Sequence, residues 1–162
     1  AAAPPFSAMI DPDDAGFFNP PDMEQALYAY IDRSGQTRPQ GRGPLLRLVY
    51  ESLALKYRLV HELLNGVVGH PANVVHIVGG GSGNHLLNQF TANALDLPLV
   101  AGPREATALG NLMVQAVGLK LLPDLQAALP LIESAAEMRR YQPQERERWE
   151  QAYADFRALL PD

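Results

Sequence analysis

From Val74 to Val78 the chain is apolar and β-branched around His76, and it then breaks into Gly79-Gly80-Gly81-Ser82-Gly83 before apolar residues return at helical spacing. This pattern predicts a buried strand over 74–78, a tight turn without side chains, and a helix from Asn84 to Leu95. Leu86, Leu87, Phe90 and Ala94 would form that helix's apolar face, with the amides of Asn88, Gln89 and Asn93 elsewhere. A second apolar run, Leu97 to Ala101, reads as a strand, and Gly102-Pro103-Arg104-Glu105 as the turn into a helix over about 106–119. Small residues on that helix, among them Ala108, Gly110 and Ala116, would permit close approach of a neighbouring backbone. Strand, helix, strand and helix in this order predict a right-handed βαβ unit with parallel strands.

Upstream, Pro4, Pro5, Pro12, Pro20 and Pro21 with the acidic turn Asp11-Pro12-Asp13-Asp14 forbid long regular structure. Residues 1–21 therefore read as an extended lead-in pinned by Phe17 and Phe18. A short helix follows over 22–32, with Met23, Ala26, Leu27 and Tyr30 on its apolar side, and then a polar connector over 33–43. From Pro44 to Asn65 the apolar positions (Leu45, Leu48, Val49, Leu53, Tyr57, Val60, Leu63, Leu64) keep helical spacing, with Gly66 placed to end the run. The tail predicts a minor turn over 124–129 and a terminal helix over 143–160 that buries Trp149, Ala152, Tyr153, Phe156, Leu159 and Leu160, entered through the solvent-facing stretch Gln144-Glu145-Arg146-Glu147-Arg148. Two strands are too few for a stable sheet. The remaining strands must hide in the proline-rich lead-in or belong to a segment preceding these residues.

Composition narrows the function classes. A length of 162 residues with 47% hydrophobic content supports one core, and 1–162 is read as a single domain. A formal charge of -5, with 13 basic residues dispersed among 18 acidic ones, speaks against a nucleic-acid partner. The absence of cysteine removes thiolate metal sites and a cysteine nucleophile and is compatible with a cytoplasmic location. No apolar stretch approaches the ~20 residues of a membrane span, so no membrane partner is expected. The chain opens on Ala1-Ala2-Ala3-Pro4-Pro5 without an initiator Met and reads as a fragment.

The glycine turn is the strongest candidate for chemistry. Glycines at 79, 80 and 81 let main-chain N–H groups approach a bulky anion where the next helix presents its positive end, and phosphate is the obvious ligand. No Gly-Lys-Ser/Thr follows, so this is not a P-loop, and the dinucleotide fingerprint fails on its third glycine. Ser82 or Asn84 would cap the helix. At the second turn Arg104 could steer phosphates, while Glu105 or Thr107 is better read as a cap. His61-Glu62 resembles a zinc helix, but Asn65 stands where the second ligand should be, so no metal site is expected. His76 reads as a packed strand residue, whereas His85 could approach a ligand beside the glycine turn. Glu51 and Lys56 read as part of an exposed helix face or a contact to another lobe.

His76-Ile77-Val78-Gly79-Gly80-Gly81-Ser82 with Asn84 and Leu87-Asn88-Gln89, followed by Ala101-Gly102-Pro103 and Glu105-Ala106-Thr107-Ala108-Leu109-Gly110-Asn111, closely resembles the C-terminal lobe of FGGY carbohydrate kinases. Ile10-Asp11-Pro12-Asp13-Asp14, Phe18-Asn19-Pro20 and Glu51 to Arg58 extend the resemblance over about 10–156. It implies an α/β fold, helix-rich, forming part of a ribonuclease H-like (actin-like ATPase) domain with a short parallel βαβ core and an incomplete sheet. It also implies ATP, bound with Mg2+ held mainly by the phosphates and a lobe outside these residues, and transfer of the γ-phosphate to a sugar hydroxyl. The implied sugar is L-rhamnulose, phosphorylated at its 1-hydroxyl. Carried over by position, Gly79, Gly80 and Gly81 match the glycines against the nucleotide, with Gly80 foremost, and Asn84 matches a polar residue near the adenosine or α-phosphate. The catalytic aspartate has no counterpart here, and Asp11, Asp13 and Asp14 do not match it, so no catalytic residue is assigned. Gly83 and His85 depart from the family pattern, the first where a larger polar side chain is usual. The competing expectation is a non-catalytic interaction module that retains the lobe and binds a partner through the helical face of residues 44–65.

Overall fold

The computed structural model describes residues 3–135 and 138–160. Its helices are α1 (Met23–Arg33), α2 (Arg42–Val68), α3 (His85–Leu95), α4 (Ala106–Gly118), α5 (Leu129–Ala135) and α6 (Arg146–Leu159), with strands β1 (Val75–Ile77), β2 (Leu99–Ala101) and β3 (Arg139–Tyr141). The strands form one mixed sheet in the order β1-β2-β3. β1 and β2 are parallel, with His76 opposite Val100, as the βαβ pattern predicts. β3 was not foreseen: it runs antiparallel to β2, placing Tyr141 opposite Leu99. The third strand thus comes from the tail and not from the lead-in, while β1 has one edge unpaired among the described residues. His76 is exposed, which corrects its reading as a packed residue, and Val78 is exposed as well.

Local chemistry sets most element ends. The Asp22 carboxylate accepts the Gln25 N–H at the start of α1. α3 stops where Asp96 enters the left-handed region at φ 54°. The long helix α2 does not end at Gly66: it runs through that exposed glycine and closes at Gly69, whose φ of 80° places its N–H on the Asn65 carbonyl. A glycine inside a helix costs only about 1 kcal/mol, whereas a left-handed C-cap strongly favours one.

The core lies between α2, α3 and α6. Leu55, Ala54, Phe90, Trp149, Tyr153 and Phe156 pack together with Met9, and the Trp149 ring meets Phe6 edge-on at 4.9 Å and Phe90 at 5.4 Å. Of the residues expected to be buried at this end of the chain, Trp149, Ala152, Tyr153 and Phe156 are in place, whereas Leu159 and Leu160 are only partly buried at the edge of the core. A second cluster joins Ala8, Ile10, Leu27, Tyr30, Ile31, Leu45 and Leu48. The lead-in is extended apart from a 3-10 turn over Ala15–Phe17; of its two expected anchors Phe17 packs against Tyr30 at 5.5 Å, whereas Phe18 is 90% exposed and pins nothing. Polar side chains add to that anchor: Glu51 Oε2 accepts the Phe6 N–H at 2.8 Å, Gln36 Oε1 the Met9 N–H at 2.7 Å and Ser52 Oγ the Ile10 N–H at 3.0 Å.

Glu51 is accordingly buried, not on an exposed face. Burial pushes its carboxyl above the usual carboxylate range, opposed by the Arg47 guanidinium and the Phe6 N–H. α3 departs from a one-sided pattern in the same way, since Asn88, Thr91 and Asn93 are buried while Leu86 is exposed. Asn93 Oδ1 accepts from the Gln144 N–H at 3.0 Å, and Gln89 Nε2 donates to the Gln142 carbonyl at 2.8 Å, so these amides fasten the chain after β3 to α3. α4 differs most from expectation: none of its residues is buried, so its small residues meet no neighbouring backbone.

Candidate phosphate-binding site

The two β-to-helix turns lie side by side at the carboxyl ends of the parallel strands. Each holds the other: the Gly79 N–H donates to the Pro103 carbonyl at 2.8 Å, and the Gly102 N–H donates to the Ile77 carbonyl at 2.7 Å. After Gly79 the chain makes one 3-10 turn over Gly80–Gly83 and enters α3. Ser82 is buried and its hydroxyl donates to the Gly79 carbonyl at 2.7 Å, closing the turn from inside. Asn88, fully buried on α3, donates to the Ser82 carbonyl at 2.9 Å, and its Oδ1 has no partner among the described residues.

The glycines are not equivalent. Gly79 has φ 79°, so the backbone itself demands glycine there. Gly80 has neither a positive φ nor an atom within 4 Å of where a Cβ would stand, and Gly81 meets only Ile77 Cγ2 at 3.9 Å. Nothing inside the fold requires glycine at 80. Among the described residues, the Gly80 and Gly81 N–H groups have no hydrogen-bond acceptor. Two successive unpaired backbone donors in the turn that leads into α3 are an arrangement chemically able to meet an anion.

Asn84 caps α3, its Oδ1 accepting the Leu87 N–H at 3.1 Å. That meets the capping expectation and leaves its Nδ2 without a hydrogen-bond partner among the described residues. The adjoining cavity, about 440 Å3, is lined by Ser82, Gly83, His85, the 101–105 turn, Leu109 and Arg139. Gly79, Gly80, Gly81 and Asn84 are not among its lining residues, although they adjoin Ser82, Gly83 and His85 along the chain. His85 lines it as anticipated, with Nδ1 at 2.7 Å from the Tyr141 hydroxyl. Glu105 stands at the N-cap of α4, yet its side chain makes no capping hydrogen bond. Sequence reasoning missed Tyr141, Arg139 and Asn88. An amide between Leu87 and Gln89 carries no signal of burial, and Arg139-Arg140-Tyr141 lacks the apolar alternation that marks a strand. No cluster of three or more His, Asp or Glu side chains among the described residues could hold a metal ion. No described helix is long and apolar enough to cross a membrane.

Residues 1–119 match the model of the FGGY family of carbohydrate kinases, C-terminal domain. The rhamnulokinase of Bacteroides thetaiotaomicron is 46% identical over 153 residues, which are 94% of this chain and 32% of that protein. The rhamnulokinase of Pectobacterium carotovorum is 38% identical over 159 residues, 98% of this chain and again 32% of the relative. The chain thus spans about a third of the length of these curated relatives. The crystal structure of xylulose kinase from Rhodospirillum rubrum superposes with a TM-score of 0.59 at 24% identity, over 77% of this chain and 25% of that one, which supports the actin-like ATPase fold. With the motifs, the paired turns and the family match in agreement, the chain belongs to the FGGY family of carbohydrate kinases and carries sequence of its C-terminal domain.

Proposed function

We propose that this chain is the latter part of the C-terminal, nucleotide-binding lobe of a cytoplasmic ATP-dependent sugar kinase, with L-rhamnulose as the sugar phosphorylated at its 1-hydroxyl. The observation that carries the nucleotide half of this reading is the pair of unpaired N–H groups at Gly80 and Gly81, beside a Cβ position at 80 that the fold leaves empty. The sugar rests on the relatives of 46% and 38% identity, both rhamnulokinases.

In the transfer, the sugar hydroxyl oxygen bonds to the γ-phosphorus, the bond from that phosphorus to the β–γ bridging oxygen breaks, and ADP leaves. The hydroxyl proton passes to a base, for which no residue here is assigned. This chain's share is alignment: Gly79 fixes the turn, Ser82 and Asn88 hold its shape, and the N–H groups of Gly80 and Gly81 meet phosphate oxygens without reorganising. Asn84 orients the first turn of α3 toward the adenosine or α-phosphate. Glu105, the one carboxylate lining the cavity among the described residues, does not by itself make a protein-held Mg2+ site. The ion's place is therefore on the nucleotide phosphates and on residues outside this chain.

Titration calorimetry with ADP and ATP tests the reading. Gly80→Val should weaken binding at least about tenfold, because the new side chain projects where the nucleotide approaches. Its melting temperature should stay unchanged, since that space is open in the fold. Unaltered affinity in a folded variant would remove the cradle from the proposal.

A further inference from the structure

Gly83 is a glycine for a reason unlike those at 79 and 80. Its φ lies outside the positive region, so its backbone is open to any residue. A Cβ there, however, would stand 3.0 Å from both Cζ and Nε of Arg104 and 3.1 Å from Nη2. The guanidinium of the second turn thus rests on bare backbone of the first. The cross-turn hydrogen bonds of 2.8 and 2.7 Å hold these two turns together. Arg104 has no carboxylate partner among the described residues, although Glu105 follows it directly. It lines the cavity of about 440 Å3 with Arg139 and His85, and among the described residues Glu105 is the sole acid lining it.

We infer that Arg104 is a phosphate-contacting residue of this site and that Gly83 is its seat. The inference rests on the nucleotide reading above and adds a charged side chain to what is otherwise a cradle of neutral N–H groups. A guanidinium held over backbone loses little freedom on binding and offers a planar fork that fits two phosphate oxygens. The class of ligand is the anionic end of a nucleoside di- or triphosphate, not its base: a cation left without a counter-ion in a concave site gains most from a compact, multiply charged group.

The probe is ADP, titrated into this chain at low and at high salt. Arg104→Met should weaken ADP binding about tenfold at low salt and flatten the salt dependence, whereas Arg104→Lys, which keeps the charge and loses the fork, should fall between. Gly83→Ala should displace the guanidinium, the movable end of a flexible side chain, and weaken ADP severalfold. Combined with Arg104→Met it should add no further loss, because both changes remove the same contact. Equal loss at both salt concentrations would mean a neutral contact to base or sugar and would overturn the phosphate assignment. Additive losses in the double variant would overturn the seat. If Arg104→Met binds ADP like the parent while Gly80→Val does not, Arg104 is outside the site and the backbone cradle stands. Failure of the parent chain to bind ADP would remove both. Arg104 is exposed, so each variant should melt like the parent, which separates lost binding from lost fold.

Discussion

The two ends of α2 share one helical pattern and have opposite fates. Toward its start, Leu45, Leu48, Glu51, Ser52, Ala54 and Leu55 are buried against the lead-in, α3 and α6. Beyond Leu59, which still packs at the margin of the core, the apolar residues stand largely in solvent: Val60 is 44% exposed, Leu63 64% and Val67 86%. α4 behaves like the second region, with Leu112 56% and Val114 57% exposed. Periodicity records that a face is meant to be covered; it does not say by what. The contrast also bears on the idea of a free interaction surface along 44–65, because the first half of that face is already occupied within this chain. The glycine turn and the cavity belong to the well-packed region, carried by α3, whose far side is sealed against Trp149 and Leu55.

The largest expected effect lies at the centre of the packed region. Trp149 is 1% exposed and meets two aromatic rings. Trp149→Ala should cost about 3–5 kcal/mol in urea denaturation, from lost transfer energy and the cavity left behind. A loss under about 1 kcal/mol would show that α6 is not seated as described and would dissolve the contrast between the regions.

A smaller effect sharpens the same contrast through charge. Lys56 Nζ lies 3.0 Å from Asp11 and 2.8 Å from Asp13, clamping the lead-in onto the buried half of α2. Burial works against its charge, but the hydrogen bonds to Asp13 and Asp11 outweigh it and raise its proton affinity. Burial likewise raises the phenols of Tyr30 and Tyr153, the second helped by its bond to Glu62. A raised value means that the folded chain holds the proton more tightly than the unfolded one. These contributions are therefore complete below about pH 10 and are lost as pH rises through the folded values. Urea midpoints should fall above about pH 10. Lys56→Met should be less stable than the parent by roughly 1 kcal/mol near neutrality, and the gap should close in alkali, since the tyrosines titrate in both proteins. A gap independent of pH would assign the loss to packing of the lysine stem instead.

What could be read from the chain alone follows from where the signals are local. The βαβ order, the α3 cap at Asn84 and the buried face of α6 depend on short-range patterns and turn chemistry, and the structure holds them all. The glycine turn was equally legible, because a strand running into three glycines has few other physical readings. The failures concern long-range partners. Arg47 stands one helical turn from Glu51 and pairs with it along α2, but nothing near Glu51 in sequence announces that the Phe6 N–H will reach it and that the carboxylate will be buried. β3 was invisible for a related reason: as an outer strand it carries Arg139 and Arg140 in exposed positions, which protect a sheet edge and erase its apolar alternation. The same blindness applied at Gly83, whose meaning depends on a guanidinium more than twenty residues away in sequence.

The smallest expected effect completes the contrast. Leu112→Ser on α4 and Val67→Ser on the far half of α2 remove side chains that touch little within this chain, so each should change the urea midpoint by less than about 0.5 kcal/mol equivalent. Serine in a helix costs a few tenths of a kcal/mol relative to leucine, which sets the floor of what should be seen. Relieving exposed apolar surface should also raise solubility, a gain with no counterpart at a buried position. If either variant lost 2 kcal/mol or more, the exposed stripe would have to be covered in solution, and the division of α2 into a seated and an open half would fail. Because Val67 and Val60 lie on one face of one helix, a double variant distinguishes the cases. Independent exposed sites should add to a small sum, whereas a covered stripe should show losses that couple through the shared contact.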